Sequence, residues 1–152
     1  MPFVGPWEYE LHFPRDPRAP GIARSTLRVV LATHGLDELT DRAELLASEL
    51  ATNSVRYTKG PASVRLRWAH PVLRISVSDT SPVFPLSLRP PAGQADEQGR
   101  GLAILDLLAD HWGGCCLDEV LFGVGGKTIW FELKLEEGPP ASPPPAAASL
   151  AA

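Results

Sequence analysis

Glu49 and Asn53 stand four residues apart in the run Ala43-Glu44-Leu45-Leu46-Ala47-Ser48-Glu49-Leu50-Ala51-Thr52-Asn53-Ser54. In a helix that spacing stacks a carboxylate and a carboxamide on neighbouring turns of one face. At about 100° per residue, Leu39, Ala43, Leu46, Leu50 and Tyr57 define an apolar stripe, with Asn53 inside it and Glu49 on its edge. Polar groups aimed at an interior need partners, because burying an unpaired carboxylate or amide is costly. A metal ion, a phosphate-bearing ligand, or a proton donor that Glu49 deprotonates would each supply one.

Asp79 ends the run 73–79 with the parity of Leu73, Ile75 and Val77, so it is expected to project to the buried side. A lone carboxylate there must find a donor. A ligand's exocyclic amine, such as adenine N6, would serve; so would the turn at Thr80-Ser81-Pro82, which Asp often caps. With Glu49 and Asn53 also facing inward, the ligand reading is preferred. Gly99-Arg100-Gly101-Leu102 opens a further helical run. Glycines let the backbone approach a ligand, and free N–H groups at a helix start attract anions. A loop turning into a helix explains the two glycines without any ligand. Thr128 begins the last strand with parity opposite to Ile129, Phe131 and Leu133, so contact with that ligand requires a twist at the strand end. Lys127 reads equally well as an exposed turn residue. No Gly-x-Ser-x-Gly elbow, Walker-type glycine loop or His-Glu-x-x-His motif is present.

The elements that must hold these residues follow from periodicity. Residues 7–13 alternate apolar and polar, which predicts a strand. Residues 14–20 are punctuated by proline, and 23–34 carry Ala23, Leu27, Val30 and Leu31 at helical spacing, closed by Gly35. A second helix over 37–57 holds the Glu/Asn pair and stops at Lys59-Gly60-Pro61. Alternation over 64–68 and 73–78 predicts an antiparallel hairpin with one buried face. The stretch 80–100, rich in Pro, Gly, Asp and Gln, reads as a long connection of the lid type. Helix is predicted over 101–111 and strands near 114–120 and 127–135. This order implies a two-layer α/β sandwich of the α+β kind, a mixed, mostly antiparallel sheet with helices on one face. One domain over 1–137 is expected, followed by a disordered Pro/Ala-rich tail over 138–152.

The chain has 152 residues, enough for one domain with a sizeable core. A net charge of −4 argues against a general nucleic-acid or membrane-surface role. Arg65, Arg67 and Arg74 fit a solvated strand face. No apolar run nears the roughly 20 residues that cross a bilayer, and residues 1–7 lack signal-peptide regions, so a cytoplasmic protein is expected. The only cysteines, Cys115 and Cys116, are adjacent and read as small buried or half-buried strand residues. His12, His34, His70 and His111 are scattered, without metal spacing.

Four blocks then fall in order: Glu49-Leu50-Ala51-Thr52-Asn53-Ser54-Val55-Arg56-Tyr57, Val77-Ser78-Asp79-Thr80-Ser81-Pro82, Gly99-Arg100-Gly101-Leu102-Ala103-Ile104-Leu105 and Gly126-Lys127-Thr128-Ile129-Trp130-Phe131-Glu132-Leu133. Together they resemble the ATP-binding boxes of the GHKL (Bergerat-fold) ATPases, and within these the actinobacterial anti-sigma-factor serine/threonine kinases. The resemblance spans roughly residues 7–135. It implies that Asn53 helps hold Mg²⁺ against the phosphates of ATP and that Glu49 is the base for an acceptor hydroxyl. Asp79 would bind the adenine amine, Gly99, Gly101 and the adjoining Leu102 would cradle the phosphates, Arg100 would reach them, and Thr128 would support the nucleotide. Two positions depart from the pattern. Thr80-Ser81-Pro82 follows the aspartate where glycines are frequent, and Tyr57 stands where a His is frequent in that branch.

The resemblance implies a kinase that moves the γ-phosphoryl of Mg-ATP onto a hydroxyl of an antagonist protein and restrains a sigma factor; it also allows a homodimer. The alternative is a nucleotide-gated regulator that binds ATP or ADP without phosphotransfer. A degenerate partner-binding domain is disfavoured, because it would have no physical reason to keep Glu49 and Asn53 at a core edge.

Overall fold

The structure, a computed structural model, describes residues 5–57, 60–80, 97–117 and 126–136. Most of the expected lid-type connection, Lys59 of the helix stop and the tail at 138–152 lie outside the described residues. The elements run β1 (Trp7–Phe13), α1 (Ala19–Thr33), α2 (Asp37–Tyr57), β2 (Ala62–Ala69), β3 (Val72–Asp79), α3 (Glu97–Leu108), β4 (His111–Leu117) and β5 (Gly126–Lys134).

The strands form one five-stranded sheet in the order β1-β2-β3-β5-β4. Every neighbouring pair is antiparallel, so the mixed character that the element pattern predicts is absent among the described residues. Strand alternation sorts the two faces. Val64, Leu66 and Trp68 of β2, Leu73, Ile75 and Val77 of β3, and Ile129, Phe131 and Leu133 of β5 are buried. Against them lies α2, which contacts all three strands. Its buried stripe is Leu39, Ala43, Leu46, Ala47, Leu50 and Ala51. Helix α1 packs on α2 through Ala23, Leu27 and Leu31, a spacing that keeps them on one side. The other sheet face is polar, as the arginine pattern predicts. Arg65 pairs with Glu8 at 3.0 Å and Glu10 at 3.2 Å; Arg74 pairs with Glu132 at 3.0 Å and lies 4.1 Å over the Trp130 ring. The result is the two-layer sandwich.

Three boundaries differ from expectation. Helix α1 begins at Ala19, not 23, because Pro20 falls in its first turn, where a missing N–H forfeits no intrahelical bond. Helix α3 begins at Glu97, not 101, and ends at Leu108, so His111 opens β4 three residues earlier than 114. The Trp112 indole N–H donates to Asp106 Oδ1 at 2.8 Å, fastening β4 to α3. Cys115, expected to be at least half-buried, is exposed on β4, an edge strand of the sheet with no strand beyond it among the described residues.

Candidate functional site

Helix α2 presents three faces, and each predicted residue falls on a definable one. The sheet side carries the apolar stripe. The α1 side carries Glu44, whose carboxylate accepts two hydrogen bonds from the Arg28 guanidinium, at 2.6 and 2.9 Å. That bridge holds the Glu44 carboxyl below the ordinary carboxylate range. The third side faces α3, which also packs on α2. Arg42 marks it, donating to the Leu108 carbonyl at 3.2 Å with Asp110 3.8 Å away. Glu49 and Asn53 follow Arg42 by seven and eleven residues, two and three helical turns, and so continue the same face.

Both are half-buried. Asn53 sits at the margin of the core, not within it, and the Tyr57 side chain that completed the expected stripe lies outside the described residues. No hydrogen bond or ion pair to the Glu49 or Asn53 side chain occurs among the described residues. They do not satisfy each other, and no neighbour among the described residues satisfies them.

Asp79 does project inward, with its side chain only 1% exposed. It ends β3 opposite Lys127 of β5, and on the other side it pairs with Ala62. Its Oδ2 accepts the Ser54 hydroxyl at 2.7 Å and lies 3.0 Å from Lys127 Nζ. Lys127 is therefore a buried ion-pair partner, 6% exposed at its side chain, and not a turn residue in solvent. Sequence reasoning missed both Lys127 and Ser54. The signal was available: Lys127 shares the parity of Ile129, Phe131 and Leu133, as Asp79 shares that of Val77. The rarity of buried lysine hides it.

Thr128 points to the opposite face, where its Oγ1 lies 2.8 Å from Ser78 Oγ. Strand alternation separates it from Asp79, and the end of β5 has no twist that brings it round. Gly99 and Arg100 lie in the first turn of α3, whose N–H groups lack intrahelical acceptors, and Gly101 and Leu102 follow directly. Of their side chains nothing is described.

The structure thus places a carboxylate and an amide without partners among the described residues on α2, which α3 also packs against, and an inward aspartate at the end of a central strand. The family model for the histidine kinase-like ATPase domain matches residues 13–131. The chain belongs to this family. The match runs from the end of β1 to the middle of β5 and so takes in every candidate residue. The chain is also 48% identical over 58 residues to an uncharacterized protein of Streptomyces coelicolor, across 35% of this chain and 51% of that protein. It thus aligns with about half the length of that relative.

An ATPase domain implies ATP, and the residues present can be tested against Mg-ATP. Among the described residues no group of three or more His, Cys, Asp or Glu could hold a metal alone. Mg²⁺ in nucleotide sites keeps several waters and takes one or two protein oxygens alongside phosphates. The half-buried, unpartnered Asn53 amide fits that modest demand.

Proposed function

We propose that this histidine kinase-like ATPase domain binds Mg-ATP between α2 and α3 and transfers the γ-phosphoryl to a serine or threonine hydroxyl of an antagonist protein. The observation that carries this reading is the pair Glu49 and Asn53, one turn apart, half-buried and, among the described residues, without partners on the α3 side of α2. Asn53 holds the metal-phosphate group, and Glu49 takes the proton from the acceptor hydroxyl. The first turn of α3, with Gly99 and Arg100, offers backbone N–H groups to the phosphates. Bound Mg²⁺ would neutralise charge on the phosphate oxygens; the chain's own residues position and deprotonate, which is most of what phosphoryl transfer requires. By the resemblance of its sequence boxes, the domain acts in the cytoplasm and restrains a sigma factor until the antagonist switches. If Glu49 performs no transfer, the same site makes a nucleotide-gated regulator.

Labelled ATP mixed with the protein and candidate antagonist proteins tests this. Asn53→Ala is expected to abolish Mg-dependent nucleotide binding. Glu49→Ala is expected to bind ATP within about twofold of wild type and to stop transfer. Wild-type binding and transfer in both variants would refute the site.

A further inference from the structure

Lys127 is a buried cation that the phosphoryl-transfer scheme leaves unused. Its Nζ lies 3.0 Å from Asp79 Oδ2, and both side chains are sealed, at 6% and 1% exposure. The same oxygen accepts the Ser54 hydroxyl at 2.7 Å. An oxygen that already holds an ammonium and a hydroxyl donor takes a third donor only at the expense of one of them. The exocyclic amine of a purine is a neutral donor, and hydrogen bonds from charged donors are roughly twice as strong. A base amine therefore competes with Lys127 at Oδ2, and at Oδ1 it meets a carboxylate whose charge the ammonium already offsets, which makes that oxygen a weaker acceptor.

We propose that Lys127 determines the base specificity of the nucleotide site by masking Asp79: it is an internal counter-ion that occupies Oδ2 and weakens the whole carboxylate as an acceptor for an exocyclic amine. This inference rests on the nucleotide-binding reading above. Three features support it. The register places Asp79 and Lys127 directly opposite at the ends of paired strands, so the contact is built into the sheet. Lys127 is the second residue of β5, so replacing it leaves the centre of the β3–β5 ladder intact. Ser54 lies on α2 next to Asn53, so the masked carboxylate is tied to the helix that carries the proposed phosphate-end residues. The consequence is a site that gains little from the 6-amino group while Lys127 is in place.

The test compares ATP with purine riboside triphosphate, which lacks that amine, by equilibrium titration with Mg²⁺ present. Wild type is expected to bind the two within about twofold of each other. Lys127→Met, which keeps the stem's volume and removes the charge, is expected to favour ATP by about tenfold. Lys127→Gln should move the ratio the same way but less, and it serves if the methionine variant does not fold. Titrations are run well below each variant's unfolding midpoint. An unchanged ratio in a variant that binds both triphosphates overturns the masking and leaves the nucleotide reading standing. Weaker ATP binding with no gain in the ratio also overturns it, by showing that Lys127 helps hold the base. If neither wild type nor variant binds either triphosphate, the nucleotide reading itself falls.

Discussion

Asn53 and Ser54 are neighbours in sequence, yet their surroundings are opposite. Ser54 turns inward and donates to Asp79, which Lys127 neutralises, so these polar groups are buried and mutually satisfied. Asn53, with Glu49 a turn before it, faces α3, half-exposed and without partners among the described residues. The difference teaches which polar groups the fold itself satisfies and which it leaves open. A sealed, satisfied cluster fixes how β3, β5 and α2 meet. A half-buried pair without partners among the described residues contributes little to that, and the proposed function assigns it to the ligand.

The contrast breaks most sharply at Asp79. Asp79→Ala leaves Lys127 buried without its counter-ion, and removing one partner of a buried pair costs about 3–5 kcal/mol. Asp79→Leu combined with Lys127→Met should lose much less, because apolar replacement of a whole buried pair is often neutral. Urea denaturation of the single and double variants measures both. If the double variant loses as much as the sum of the singles, the cluster is not a coupled pair.

A smaller effect is expected on the α1 side of α2. The Arg28 hydrogen bonds lower the folded-state pKa of Glu44 below its unfolded value. The bridge's stability is therefore fully present above the unfolded carboxylate pKa and is lost as pH falls through the depressed folded value. Arg28 is 70% exposed at its side chain, so solvent screens the pair. Glu44→Gln should cost about 0.2–1 kcal/mol at neutral pH, and that difference should vanish at pH values below the folded pKa. Denaturation curves of both proteins across the acid range check the sign; a difference that grows on acidification would contradict it.

The smallest changes are expected at the proposed catalytic wall. Glu49→Ala and Asn53→Ala should each alter stability by no more than about 0.5 kcal/mol, while activity falls. A stability loss matching that of Asp79→Ala would place these side chains in the packing and remove the contrast.

Periodicity made the sheet and α2 legible, because Leu66, Ile75, Phe131 and Leu50 repeat at the spacing of their elements and every one of them is buried. The start of α1 was hidden by Pro20, which reads as a breaker but also suits a first turn. The start of α3 was hidden by Gly99 and Gly101, whose weak helix preference is overridden where the helix packs on α2. The site was half legible. Spacing brought out Glu49, Asn53 and Asp79, since each puts a polar group where apolar ones are expected. It did not show that Asp79 already has a cation, because that contact joins residues from separate strands and depends on register. It also left Thr128 as a candidate until strand pairing put its hydroxyl against Ser78.

The indole of Trp112 hangs from Asp106, near the C-terminal end of the helix whose first turn is proposed to meet the phosphates. A shift of that helix on its neighbours would stretch or release this tether and alter the polarity around the ring. Trp112, one of four tryptophans, is thus a native optical gauge for such a shift, readable as emission wavelength once the other three are replaced, and it is fastened near the end of α3 away from its first turn.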